Sequence, residues 1–248
     1  MVGKKDFWLK KMTCPLCGSE FESVRVASWA IKLKEREEDL RPVYVGVNPL
    51  YYSLITCDKC YYTAYEADFD NVFDITDMEK IKAFLSKVRS RFKLNLSDKR
   101  TVDDAILLYD LALNLYRFRK KGELKIADIY LKLGWLYREK GNHELELASL
   151  AKAIVAFEKL YDEGKINKVS GPGEVGVMYL IGALYDELDK PKTALEWFMR
   201  AVNYARKTHS SSPYAKMAKE RWEGIKADMK EGIYHRDTEK TEHVVHEP

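Results

Sequence analysis

The chain has 248 residues, of which 46% are hydrophobic and 33% charged, so it holds enough apolar surface for a folded core and is not a globally disordered protein. Its net charge of +3 and pI of about 8.4 fall short of the strongly basic balance of proteins that bind nucleic acid through overall charge. No segment has the ~20 apolar residues that cross a bilayer, and residues 1–11 lack the apolar run of a secretory signal, so we expect a cytoplasmic protein.

All four cysteines stand in two Cys-x-x-Cys pairs, Cys14 with Cys17 and Cys57 with Cys60. In a reducing compartment such pairs are metal ligands more often than disulfides. Two residues between cysteines turn both sulfurs toward one point, and two such turns complete a tetrahedron of thiolates. The spacing therefore predicts a structural zinc ion whose closed shell has no position for a catalytic water. A redox pair and an iron site stay open as alternatives.

Residues 13–73 have a strand-like composition, with β-formers such as Phe21, Val24 and Tyr44 separated by turn residues. The segment between the cysteine pairs exceeds the ~15–20 residues of compact zinc ribbons, which indicates an inserted hairpin. Lys32–Arg41 has charges of both signs and predicts an exposed hairpin tip or loop. After the turn at Asn48-Pro49, Leu50–Thr56 reads as a strand that enters the second cysteine pair.

The period becomes helical after residue 75. Thr76 with Glu79 has a capping-box pattern, which predicts a helix through about Phe92, and Thr101 can cap the next helix. Apolar spacing and turn residues predict the remaining helices at about Glu123–Lys140, His143–Tyr161, Gly173–Leu188, Lys192–Thr208 and from Ser212-Pro213 onward.

Two of these helical segments correspond when Gly134 is aligned with Gly182. In each, a large residue precedes an aliphatic-glycine pair, and a tyrosine follows three positions after the glycine; in the second copy Ala194, Phe198 and Ala201 come next. This is the tetratricopeptide pattern, in which small residues allow two helices to cross closely. The first copy is weaker because Glu146 occupies an expected alanine position. A generic helical bundle is the alternative.

Repeats of this type present a concave groove that suits a peptide or a partner helix. On that interpretation, the groove residues for a protein partner are Asp128, Leu131, Trp135, Arg138, Tyr179, Asp186 and Glu187.

Two further motifs carry weaker signals. Gly171–Gly176 matches the glycine spacing of dinucleotide sites, but helical segments flank it, so we interpret it as a loop between repeats. Lys87, Arg89, Arg91 and Lys93 surround Phe92 and form a basic stretch beside the predicted zinc module. Cations at a helix end complement the helix dipole, and contact with nucleic-acid phosphate is the alternative.

The string Thr-Cys-Pro-x-Cys-Gly at Thr13–Gly18, then Asn48-Pro49-Leu50-x-Tyr52, then Cys57-x-x-Cys60-x-Tyr62, resembles a bacterial family known as a domain of unknown function. That family has an N-terminal cysteine-knuckle region and tetratricopeptide-like helices, and the resemblance covers roughly residues 10 to 230. It implies a bacterial cytosolic protein with zinc-ribbon-like cysteines and supplies no activity. Tyr61 departs from the pattern, since ribbon knuckles usually have glycine there.

We therefore predict an α+β, mainly α protein with a β-rich zinc-ribbon-like module at residues 1–75, a tetratricopeptide-like helical array at 76–231 and a flexible tail at 232–248. The expected function is a non-enzymatic scaffold that binds another protein. A nucleic-acid-associated zinc-ribbon protein and an enzyme with an unrecognised site are the alternatives.

Overall fold

The computed structural model describes residues 5–72, 75–120, 122–166 and 173–232. Its N-terminal part is built from three antiparallel hairpins, and helices follow, which confirms the α+β, mainly α class. The strands are β1 (Phe7–Thr13), β2 (Glu20–Val26), β3 (Leu33–Arg36), β4 (Pro42–Tyr44), β5 (Leu54–Thr56) and β6 (Thr63–Tyr65). The helices are α1 (Glu66–Phe69), α2 (Met78–Arg91), α3 (Val102–Tyr116), α4 (Glu123–Lys140), α5 (His143–Asp162), α6 (Gly173–Glu187), α7 (Pro191–Lys207) and α8 (Pro213–Lys230).

The chain divides into two compact units, residues 1–156 and 157–248. The boundary predicted at residue 75 falls inside the first unit, and the division into 1–75, 76–231 and 232–248 stays a prediction. Beyond Gly232, the predicted tail lies outside the described residues. In the part of the chain that the structure describes, no helix has the length and hydrophobicity needed to span a bilayer.

A hydrophobic core joins strands and helices in the first unit. It contains the buried sulfurs of Cys14 and Cys57 together with Phe69, Tyr109 of α3 and Leu136 of α4. Helix α3 packs against α4, and strands β5 and β6 pack against α3. The cysteine-bearing segments therefore share one apolar interior with the first long helices, and burial of this surface is the main term that holds them together.

The Asn-Pro-Leu-x-Tyr motif fastens a short 3-10 helix, Pro49–Tyr52, to the helices. The Asn48 side chain accepts from the Leu50 amide at 3.0 Å and donates to Glu139 at the end of α4, also at 3.0 Å. The Tyr52 hydroxyl donates to the Asp98 carbonyl at 2.7 Å. Leu50–Thr56 is thus not one strand as predicted, because Asn48 caps a helical turn and β5 begins only at Leu54.

Helix starts are predicted well where a side chain can cap the first turn. Thr101 and Asp104 form a reciprocal capping box at the start of α3, as expected. Helix α2 differs, because Asp77 is its cap and the Thr76 hydroxyl donates to the Phe118 carbonyl instead.

The two aligned glycines lie where helices pack closely. A Cβ at Gly134 of α4 would stand 2.9 Å from Leu150 Cγ of α5, and one at Gly182 of α6 would stand 2.8 Å from Phe198 Cε1 of α7. In the second unit α6 packs on α7, and α8 packs on both. The small glycine residues thus allow close helix contacts at both places, and the tetratricopeptide-like arrangement stays a prediction.

Candidate metal centre

Each cysteine pair lies in the turn of a hairpin. Cys14 and Cys17 stand between β1 and β2, and Cys57 and Cys60 stand between β5 and β6. The predicted inserted hairpin is present as β3–β4, between the two pairs. The insertion therefore leaves the two cysteine-bearing turns free to face each other.

The two turns have the same backbone geometry. In the first, the Gly18 amide donates to the Cys14 carbonyl at 2.8 Å; in the second, the Tyr61 amide donates to the Cys57 carbonyl at 2.9 Å. Both residues have positive φ, +72° at Gly18 and +64° at Tyr61. A left-handed tyrosine is uncommon because its Cβ is crowded there. Tyr61 nevertheless reproduces the glycine turn, so the departure from the motif does not change the knuckle.

The four sulfurs converge. Cys14 Sγ lies 3.6 Å from Cys60 Sγ, and Cys17 Sγ lies 3.8 Å from Cys57 Sγ. All four sulfurs lie within 4.8 Å of one another. A tetrahedral metal site with bonds of about 2.3 Å places its sulfurs about 3.8 Å apart. The sulfurs stand where one metal ion could bind all of them, as predicted.

Backbone amides point at the sulfurs inside each turn. The amides of Leu16 and Cys17 hydrogen-bond to Cys14 Sγ, and those of Lys59 and Cys60 hydrogen-bond to Cys57 Sγ. Such amides stabilise negative charge on sulfur, so the turns are built for thiolates rather than for thiols.

Contact between the sulfurs makes their ionisation unequal. Hydrogen bonds from Cys14 and then Cys60 lower the pKa of Cys57 to about 2. The hydrogen bond to Cys57 raises the pKa of Cys14 to about 12, and hydrogen bonds with Cys14 and Cys57 raise the pKa of Cys60. A metal ion needs thiolate ligands, so its binding would release the protons that remain on the sulfurs.

The centre has one buried side and one accessible side. Cys14 and Cys57 are fully buried, Cys60 is partly exposed and Cys17 is exposed. Cys17 and Cys60 border a cavity of about 570 Å³ that lies between the cysteine turns and α2. Arg89, which lines this cavity, belongs to the basic stretch identified in the sequence. Lys82 also lines the cavity, but it lies outside that stretch and was not identified from the sequence.

The predicted groove residues of the first unit lie against the chain's own segments. Trp135 donates its indole N–H to Asp39 at 2.8 Å, and Arg138 pairs with Glu37 at 2.5 Å. Leu131 is buried, and Asp128 accepts from the Tyr65 hydroxyl at 2.7 Å. The β3–β4 turn thus covers Trp135 and Arg138 of α4. The prediction that Lys32–Arg41 is exposed was wrong at Asp39, which is 0% exposed.

The groove residues of the second unit are mostly covered by α8. Tyr179 is 1% exposed, with its ring near those of Phe198 and Tyr214, and Asp186 pairs with Arg221 of α8. Glu187 is exposed at the end of α6. The structure places Tyr179 and Asp186 in a packed interior and a side-chain ion pair instead of on an open surface.

The other sequence motifs are placed as follows. Glu146, which occupies an expected alanine position in the first repeat, is buried, and its carboxylate accepts a hydrogen bond from Arg138 Nε at 2.5 Å. An ion pair therefore stands where the repeat pattern expects alanine. Gly173 begins α6, whereas Gly171 and Pro172 lie outside the described residues. His143 begins α5, with Nδ1 3.3 Å from Glu146.

Comparison with known proteins gives one family and one relative. A family model described as "Uncharacterized protein conserved in bacteria (DUF2225)" matches residues 7–225. An uncharacterized protein of Borreliella burgdorferi is 24% identical over 215 residues, which are 72% of this chain and 76% of that protein. No solved structure matches the chain.

Proposed function

The chain belongs to the DUF2225 family of proteins conserved in bacteria, and we propose that it is a non-enzymatic zinc protein that acts as a scaffold for another protein. The observation that carries the proposal is the convergence of all four cysteine sulfurs within 4.8 Å. Tetrathiolate coordination by knuckles is the usual arrangement of structural zinc. A closed shell offers no position for substrate or water, which supports a structural role.

Zinc here would join two distant parts of the chain. Its ligands come from the β1–β2 and β5–β6 turns, and Cys14 and Cys57 belong to the core that also contains α3 and α4 residues. Because the ligands are brought together only in the folded chain, the free energy of zinc binding becomes free energy of folding.

The metal proposal is tested on the full-length protein purified without added metal. We expect one zinc per chain by mass spectrometry, and we expect Cys57→Ser to lose it together with most of its thermal stability. Ser19→Ala is the matched control, because the Ser19 contact to the first turn is made by its backbone carbonyl. Stoichiometric iron with charge-transfer absorption, or freely titratable thiols in the native protein, would contradict the zinc proposal.

The scaffold role is supported by exposed apolar side chains near the N-terminus. Among the described residues, eleven large hydrophobic side chains are exposed, and six of them belong to residues 8–45, namely Trp8, Leu9, Trp29, Ile31, Leu33 and Val45. Contiguous apolar patches mark interaction surfaces, and these six side chains are the described residues from which such a patch could be formed. We infer that a protein partner contacts this part of the chain, since the predicted groove residues Trp135 and Arg138 already bind the β3–β4 turn.

Crosslinking in a bacterial extract, followed by mass spectrometry, tests the scaffold. The wild-type protein should yield a reproducible crosslinked partner, and Leu33→Ser with Val45→Ser should reduce its yield at least fivefold. Leu107→Ser, which changes a similarly exposed apolar side chain on α3, should leave the yield unchanged. Equal loss in both variants, or no crosslinked protein at all, would contradict the scaffold role.

A further inference from the structure

The cavity beside the cysteine cluster has walls of different chemistry. Leu16 and Leu85 provide apolar surface, Cys17 and Cys60 provide the edge of the candidate metal centre, and the side chains of α2 complete the lining. A volume of about 570 Å³ is within the range of pockets that bind small molecules. The scaffold role proposed above assigns no task to this space.

The α2 wall carries cations and hydroxyl groups on one face. Lys82, Ser86, Arg89 and Ser90 all line the cavity, and their spacing of four, seven and eight residues places them on the same side of a helix with 3.6 residues per turn. All four are exposed. Basic and hydroxyl side chains together are the groups that bind phosphate oxygens.

The cations of this face are only weakly engaged within the chain. Lys82 Nζ lies 3.3 Å from Glu79, whose side chain is 86% exposed. Exposed pairs of this kind contribute little, because water screens both charges. The Arg89 guanidinium lies over the Tyr61 ring at 6.0 Å, a contact that leaves its N–H donors available. Both side chains can therefore turn to an anion without breaking a strong interaction.

The local charge stays positive when a metal is bound. Residues 77–93 contain six basic residues against two carboxylates, a surplus of four positive charges. A divalent metal with four thiolates carries a charge of −2. Positive charge therefore remains over residues 77–93 as a whole after the charge of the metal centre is subtracted, and it attracts anions to this part of the protein.

We propose that this cavity binds a phosphate ester of nucleotide size, either a free nucleotide or the end of a nucleic-acid strand. The phosphate lies between Lys82 and Arg89, with a hydrogen bond from the Ser86 hydroxyl, and the rest of the ligand packs on Leu16 and Leu85. The basic residues identified together in the sequence therefore have different roles. Arg89 belongs to the site, whereas Lys87 and Arg91 lie on another face of α2.

That division supplies a matched control for the experiment. Lys82→Gln with Arg89→Gln removes two positive charges from the cavity, and Lys87→Gln with Arg91→Gln removes two from the same helix outside it. Binding is measured by titration calorimetry at two salt concentrations, on full-length protein of known metal content. The probes are inorganic phosphate, adenosine monophosphate and a single-stranded oligonucleotide of ten nucleotides with a 5′ phosphate. Metal content is compared among all variants, so that loss of the cysteine site is seen separately.

We expect the cavity pair to weaken binding of the monophosphate or of the oligonucleotide at least tenfold, and the control pair to change it less than twofold. Binding of the monophosphate identifies a free nucleotide as the source, and binding of the oligonucleotide alone identifies a strand end. Equal weakening by both pairs with a steep salt dependence would indicate diffuse attraction along α2 and overturn the site. Inorganic phosphate binding as tightly as the nucleotide, or no binding of any probe at millimolar concentration, would also overturn it.

Discussion

Trp135 donates its indole N–H to the carboxylate of Asp39 at 2.8 Å, although the two residues are far apart in the chain and Asp39 stands in a highly charged segment. Arg138, one turn after Trp135 on α4, lies 3.1 Å from the same carboxylate. The Arg41 amide donates to it as well, at 3.1 Å. A fully buried carboxylate needs such partners, because an unpaired charge in the interior is costly. The β3–β4 turn is therefore a fixed part of the first unit.

Asp39 should make stability depend on pH. Burial raises the pKa of its carboxyl above the ordinary value near 3.8, and the charge of Arg138 opposes that rise. The folded protein thus holds the Asp39 proton more tightly than the unfolded chain does. The stabilising contribution is full below the unfolded pKa, and it is lost as the pH rises through the raised folded pKa.

Asp39→Asn cannot ionise, so it isolates this contribution. We expect the difference in free energy of unfolding, wild type minus Asp39→Asn, to become smaller as the pH rises from the ordinary carboxyl value near 3.8 through the raised pKa of Asp39 in the folded protein. Urea denaturation of both metal-loaded proteins measures it, and effects of pH on the metal centre cancel in the difference. A difference that grows with pH would show that Arg138 and Trp135 hold the carboxylate ionised against burial.

Substitution of the two aligned glycines should test the close helix crossings. An added methyl group at Gly134 or Gly182 would overlap Leu150 or Phe198, so each Gly→Ala change should destabilise the protein by about 1–3 kcal/mol. Gly224 in α8 is the control, because nothing lies within 4 Å of a Cβ there. Gly224→Ala should stabilise by about 0.5–1 kcal/mol through helix propensity. Thermal unfolding followed by circular dichroism distinguishes destabilisation from stabilisation. An increase in stability caused by Gly134→Ala would contradict the close packing of α4 on α5.

Local sequence patterns predicted the secondary-structure elements of this fold better than they predicted the contacts between those elements. The Cys-x-x-Cys spacing, the Thr101 capping box and the repeated glycines each depend on residues close in sequence, and each is found in the structure. The burial of Asp39 depends on Trp135 and Arg138, which the charges of its own segment do not reveal. The contact of Trp135 with the β3–β4 turn could not be predicted for the same reason, since repeat positions alone do not show what packs against them.

Asp128 and Lys132 form an ion pair one helical turn apart that is largely inside the protein. Their side chains are 34% and 18% exposed, the Nζ–Oδ2 distance is 2.7 Å, and the Tyr65 hydroxyl donates to the same Asp128 oxygen. Burial lowers the pKa of Lys132 while the charge of Asp128 raises it, and the pKa is raised overall. Lys132 therefore stays charged and depends on its partner.

Removal of one partner should cost more than removal of both. Asp128→Leu leaves a cation without its carboxylate and should destabilise by ~2 kcal/mol or more, whereas Asp128→Leu with Lys132→Met should recover much of that loss. Glu220→Ala is the control, because it breaks a pair of the same spacing with Lys216 on the surface of α8 and should change stability by less than ~0.5 kcal/mol. Urea denaturation of the four proteins gives the values; a double variant less stable than Asp128→Leu would contradict this account.

Gly18 and Tyr61 should respond differently to substitution, although both have positive φ in the cysteine turns. No atom lies within 4 Å of a Cβ at Gly18, so the cost of Gly18→Val is conformational, and left-handed backbone at a β-branched residue costs about 1–3 kcal/mol. Since the turn positions Cys14 and Cys17, zinc affinity should fall roughly tenfold, the equivalent of about 1.4 kcal/mol. Tyr61→Asn should keep the affinity within threefold, because asparagine tolerates this conformation. Competition with a chromophoric chelator at fixed pH measures both, and an equal loss in the two variants would mean that side-chain contacts, and not backbone conformation, hold the knuckles.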